Sequence, residues 1–117
     1  MTTSFAEPSA GRARDRLTFS TEWETSSVVR ISTTGEIDAS NATRLADYVF
    51  QRSANCLELV LDLREVEFFG SAGLTTLINI HERCAQANVR WTVLPSRAVS
   101  RVLDICDPEH TLPRATA

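Results

Sequence analysis

Residues 59–74 read Leu59-Val60-Leu61-Asp62-Leu63-Arg64-Glu65-Val66-Glu67-Phe68-Phe69-Gly70-Ser71-Ala72-Gly73-Leu74. Leu59, Leu61 and Leu63 alternate with Val60 and Asp62, the two-residue period of a strand. An apolar loop over Arg64–Gly70 follows, and a serine stands where a helical period begins. In open α/β sheets, ligands bind where parallel strands end beside helix N-termini. Ser71 reads as the N-cap of the new helix, next to unpaired backbone N–H groups. Gly70 and Gly73 leave room for another backbone to approach.

Downstream, the helix runs from Ser71 to about Ala87. Its apolar stripe is Leu74, Leu77 and Ile78, continued by His81, Cys84 and Ala85. Asn88 is a natural stop, because Asn tolerates the left-handed conformation. Val89–Leu94 alternates as a further strand. Ser96 caps a last helix with Val99, Val102, Leu103 and Cys106 on one face, and Asp107-Pro108 ends it. Upstream, Leu57 opens the strand of the quoted stretch. Ala42, Leu45, Ala46 and Val49 form an amphipathic helix, capped by Asp38 or Ser40. Gly35-Glu36-Ile37-Asp38 breaks the pattern before it. Leu17–Trp23 and Val28–Thr33 read as a β-hairpin.

The order is β-β-α-β-α-β-α. Strands joined through helices pair in parallel, with right-handed crossovers. The second face of the strand at 57–63 is semi-polar, which places the helices mainly on one face. The expectation is an α/β single domain over residues 17–106, with a four-to-five-stranded mixed sheet. Residues 1–16 read as a disordered N-terminal tail. Residues 107–117 read as a C-terminal tail or short edge strand.

Composition narrows the function. The chain has 117 residues and a formal net charge of −3, without the basic footprint of a nucleic-acid binder. All 12 basic residues are arginine, which removes lysine Schiff-base chemistry. Residues 1–16 lack the apolar core of a signal peptide, and no apolar run of about 20 residues is long enough for membrane insertion; a cytoplasmic protein is expected. Three cysteines are too few for a disulfide framework and lack zinc-ribbon spacing. Cys84 and Cys106 read as core residues, with a redox pair between them as the alternative. Cys56 reads as inert. No catalytic triad, nucleotide loop or metal set presents itself, so no cofactor, no metal and no enzymatic activity are expected. His81 reads as a satisfied, partly buried histidine. Trp23 and Trp91 read as sheet residues, or as binding anchors if they point away from the helices. Of Phe68 and Phe69, one belongs in the core and the other faces a partner. Glu65 and Glu67 read as a solvated loop face.

Two motifs carry a family resemblance. Gly35-Glu36-Ile37-Asp38 is similar to the GELD/GEID turn of the STAS family. Asp62-Leu63-x-x-Val66-x-Phe68-Phe69-Gly70-Ser71-Ala72-Gly73-Leu74 resembles its DLSxVxFxDSSGL signature. The resemblance covers about residues 17–106 and is to the anti-sigma factor antagonist type. It implies a domain that binds an anti-sigma factor, itself a GHKL-type serine kinase, and so releases a sigma factor for transcription. It implies that phosphorylation of Ser71 ends binding and that a PP2C-type phosphatase restores it. The partner-binding residues it implies are Gly35, Glu36, Asp38, Phe69, Gly70, Ala72, Gly73, Leu74 and Thr75. Gly70 stands where the family has Asp, and Ala72 where it has a second Ser. The chain also ends before the terminal helix of many relatives, which would leave part of the usual edge uncovered. The alternative reading is a non-catalytic scaffold or regulatory subunit in a stress-signalling or transporter complex.

Overall fold

The structure is a computed structural model that describes residues 17–115. The elements are β1 (Thr18–Trp23), β2 (Val28–Ile37), α1 (Ala42–Arg52), β3 (Glu58–Phe69), α2 (Ser71–Ala87), β4 (Arg90–Pro95) and α3 (Arg97–Cys106). The expected order holds. The four strands form one mixed sheet in the order β1-β2-β3-β4. β1 pairs antiparallel with β2, and β2–β3 and β3–β4 are parallel. Residues 1–16, read above as a tail, lie outside the described residues.

Strand register decides where the core sits. Val29, Leu59 and Trp91 form one row across the sheet, and Ile31, Leu61 and Val93 the next. All six are buried. Leu45 and Val49 of α1, Leu77 and Ile80 of α2, and Val99 and Leu103 of α3 are buried with them in one cluster. Full burial of such side chains contributes about 1.5–3 kcal/mol each. The opposite sheet face is left to ion pairs. Arg30 bridges Glu24 at 2.7 Å and Asp62 at 3.3 Å, and Arg90 meets Glu58 at 3.1 Å. The helices therefore cover a single face.

Several expectations need correction. Arg64–Gly70 is not a loop: β3 continues to Phe69, and β2 continues through Gly35-Glu36 to Ile37. The reason is two register shifts between these strands, at Ser32/Thr34 and Gly35/Glu36. They change the buried positions of β3 from every second residue to Val66 and Phe69, three apart. That hides the strand from a search for period two. Gly35 has φ 116, a conformation that glycine adopts without steric cost.

On α2 the buried stripe is Gly73, Thr76, Leu77, Ile80 and Cys84, while Ile78 and Ala85 are exposed. A glycine and a threonine on the inner face had masked the stripe's true phase. Cys106 is exposed rather than core. Asn88 does end α2 in the left-handed conformation, at φ 58. The segment after α3 folds back because the Asp107 carboxylate accepts the Thr111 and Leu112 amides, both at 2.9 Å. Leu112 is buried, and Val93 and Arg114 form an isolated parallel bridge. Part of the β4 edge is thereby covered by this short segment.

Candidate functional site

β2 and β3 deliver the two sequence motifs to the same place. Ile37 is the register partner of Phe69, and the Gly70 amide donates to the Ile37 carbonyl at 2.9 Å. The Gly35–Asp38 segment and the start of α2 are thus side by side at the carboxyl end of the parallel strands. Buried Asn41 braces this junction. Its side chain donates to the Glu36 carbonyl at 2.8 Å and accepts from the Asp38 amide at 3.0 Å. The Asp38 carboxylate accepts from the Ser40 amide at 2.9 Å and the Ser40 hydroxyl at 2.6 Å. Asn41, not Asp38 or Ser40, therefore occupies the N-cap position of α1. It is the residue the sequence reading missed, although an Asn just ahead of an apolar helical period is a recognisable signal.

Ser71 is not the cap of α2 either. Gly70 takes that position, and Ser71 is the first helical residue. The cause is the direct passage of β3 into α2, with Gly70 as the sole residue between them. Gly70 closes the first turn with its carbonyl, which accepts from the Gly73 and Leu74 amides at 3.0 and 3.4 Å. The amides of Ser71 and Ala72 have no backbone partner among the described residues. They are the free donors expected at a helix start. Ser71 is exposed.

The remaining candidates divide into surface and scaffold. Thr75 is exposed and its hydroxyl donates to the Ser71 carbonyl at 3.3 Å. Gly35, Glu36, Asp38, Gly70, Ala72 and Leu74 are half-buried. Phe69 and Gly73 are buried and belong together: a Cβ on Gly73 would lie 2.5 Å from the Phe69 ring. The close approach at Gly73 is thus by a side chain, not by a second backbone, and the Phe69 ring offers no surface to a partner. Phe68, by contrast, is 44% exposed. Its ring lies beside Gly70, 3.4 Å from where a Cβ would stand.

The electrostatics of this end are acidic. Glu65 and Glu67 are exposed, and Glu36 is the register partner of Phe68. Arg64 is held by Asp62 through bonds of 2.9 and 2.8 Å. That bonding, chiefly from Arg64, draws the Asp62 carboxyl below its usual pKa against the opposing effect of burial.

The cysteines do not converge on the site. Cys84 and Cys56 line a cavity of about 270 Å³ with Val49, Phe50, Arg83 and Val89. Burial pushes the Cys84 thiol up to about 11, with nearby Cys56 adding to the shift. Burial also raises Cys56. Cys106 lines a separate cleft between α2 and α3 with Leu74, Ile78, His81 and Leu112. His81 is satisfied as expected: its Nδ1 accepts from the indole N–H of buried Trp91 at 3.1 Å. Trp23 is 44% exposed, yet it pairs with Val29 and so stands on the helix side of the sheet. Among the described residues no three His, Cys, Asp or Glu side chains group as metal ligands. No helix among them is long and apolar enough to cross a membrane.

Comparison with known proteins gives the same picture from outside. The family model described as STAS domain matches residues 23–113. The structure is similar to that of an anti-sigma factor antagonist from Mycobacterium paratuberculosis, with a TM-score of 0.79, 29% identity and 90% of each chain covered. A putative anti-sigma factor antagonist from Thermotoga maritima gives 0.74 at 20% identity, covering 85% of this chain and 86% of that one. The unphosphorylated form of the anti-sigma factor antagonist SpoIIAA gives 0.64 at 20% identity, covering 85% and 89%. The last two likenesses speak to the fold alone. Among curated proteins, Osmosensory protein A of Mycobacterium tuberculosis is 38% identical over 65 residues. That stretch is 56% of this chain, and it spans only 41% of the relative's length.

Proposed function

The chain belongs to the STAS domain family, and on that premise we propose that it acts as an anti-sigma factor antagonist switched by phosphorylation of Ser71. It works by binding, not catalysis, in the cytoplasm. Its partner is an anti-sigma factor that is also a GHKL-type serine kinase, and binding frees a sigma factor for transcription. A PP2C-type phosphatase resets it. The likeness to the Mycobacterium paratuberculosis antagonist supports the class of partner. The resemblance to Osmosensory protein A favours an osmosensory setting.

The observation that carries the switch is exposed Ser71 as the first residue of α2, where the Ser71 and Ala72 amides have no backbone partner among the described residues. A phosphate adds about −1.5 to −2 charges and three acceptor oxygens. Those amides and the helix dipole accommodate it, so the domain keeps its fold. The effect is felt by the partner. A kinase must bring nucleotide phosphates up to the hydroxyl, and after transfer the phosphoserine faces those phosphates. A loss of about 3–4 kcal/mol is enough to shift affinity by two to three decades. The docking surface is the exposed part of Gly35–Asp38 and Gly70–Thr75.

The test is incubation with purified anti-sigma kinases and ATP, followed by mass mapping. Phosphate on Ser71 is expected. Phosphate on Thr75 instead, or no transfer from a kinase that binds the protein, would contradict the reading.

A further inference from the structure

Resting on that proposed docking surface, we infer that Phe68 is its apolar anchor and that it fits a partner pocket rimmed by arginine or lysine. Three observations converge on this residue.

The first is topological. Among the described residues, pairing of β1 extends to Thr34 on β2, and pairing of β4 to Leu63 on β3. Beyond those points β2 and β3 continue together as a two-stranded ribbon, to Ile37 and Phe69. Among the described residues, neither neighbouring strand reaches it. Within this extension of β3, Val66 and Phe69 are buried while Glu67 and Phe68 are exposed. The chain spends one large aromatic on each side: Phe69 holds α2 down, and Phe68 stays in solvent at 44% exposure.

The second is position. Phe68 lies three residues before Ser71, and its ring sits 3.4 Å from the Cβ site of Gly70. The ring thus borders the backbone that leads into the switch residue. Exposed aromatics in such central positions carry a disproportionate share of binding energy once a partner excludes water around them.

The third is charge. Glu36 is the register partner of Phe68 and Glu67 is its exposed neighbour, with Glu65 on the same strand. The ribbon's arginine, Arg64, is engaged by Asp62. An apolar pocket that accepts Phe68 therefore meets carboxylates at its edge, and like charges there are costly. The complementary partner face is cationic around an apolar centre, whereas a second copy of this chain would bring carboxylate against carboxylate.

The experiment is a binding series on the full chain with an anti-sigma kinase to which the unmodified protein binds. Phe68→Ala should weaken binding at least tenfold with an unchanged melting temperature, and Phe68→Leu should restore part of the loss. Glu67→Arg should weaken binding several-fold and flatten its salt dependence. Unchanged affinity in Phe68→Ala, alongside lost affinity in Ser71→Glu, overturns this inference and leaves the switch intact. Tighter binding by Glu67→Arg overturns the cationic rim. A concentration-dependent dimer that Phe68→Ala dissolves assigns the residue to self-association and also overturns the inference. If no anti-sigma kinase binds the unmodified protein, the functional reading itself falls and this inference falls with it.

Discussion

Ser96 and Ser71 stand at two helix starts of the same domain, one residue out of step. Ser96 is the N-cap of α3, with its Oγ accepting the Val99 amide at 3.2 Å. Ser71 follows the cap of α2 as its first helical residue, and it is exposed. A capping oxygen that is modified surrenders its bond to the backbone. An oxygen one position later can take a phosphate while the helix stays as it was. A single-residue offset thus separates a serine bonded into its helix start from one that stands exposed beside the cap.

The contrast can be broken by substitution. The largest effects should come from the packing that fixes the offset. Phe69→Ala should cost about 3–5 kcal/mol, the usual loss for a buried Phe. Gly73→Ala, which drives a Cβ to 2.5 Å from the same ring, should cost about 1–3 kcal/mol by overpacking. Denaturant unfolding reads both. Next come the serines themselves. Ser96→Ala should cost about 1 kcal/mol and Ser71→Ala less than about 0.5 kcal/mol. Equal losses would erase the distinction between them.

Gly70→Asp sharpens it further. Gly70 has φ −90, and a Cβ there would meet the Phe68 ring at 3.4 Å, an ordinary contact, so the family's Asp fits here without backbone strain. It should cap α2 and stabilise by a few tenths of a kcal/mol. A clear drop in melting temperature would mean that Gly70 is required after all.

The last effect appears only in acid. Asp107 is committed as Ser96 is, through the Thr111 and Leu112 amides. Burial pushes its carboxyl pKa up, but those bonds outweigh it and leave the pKa lowered. Asp62 is lowered too, chiefly by Arg64. A lowered folded pKa gives stability that is present above the unfolded value of about 3.9 and lost as pH falls through the folded one. Thermal melts from pH 7 to 3 should show that loss, and Asp107→Asn should reduce it. Ser71→Ala should leave the acid profile as it was.

The elements that were legible in the sequence are those with a clean period. Leu59, Leu61 and Leu63, and Val99 with Leu103, announced their strand and helix directly. The shared end of the sheet was legible through two motifs whose adjacency follows from parallel pairing. What escaped were boundaries and phase. Register shifts replaced alternation in β3 with a three-residue step, so Val66 and Phe69 looked like a loop. Gly73 and Thr76, neither of them strongly apolar, occupy the buried stripe of α2 and turned Ile78 outward. Capping was legible at Ser96 but escaped at the start of α2: Ser71 is a favoured cap residue by type, but the length of β3 gave that position to Gly70. The exposed residues at this end were the least legible, since which of Phe68 and Phe69 is exposed depends on that same register.

The most direct test of the switch is a paired measurement on Ser71→Ala and Ser71→Glu: melting temperature, and affinity for an anti-sigma kinase. The account predicts two folded proteins with near-identical melting temperatures, of which the alanine variant binds like the parent and the glutamate variant at least a hundredfold more weakly. Equal affinity in the two variants, or a glutamate variant that loses binding only because it unfolds, would contradict it.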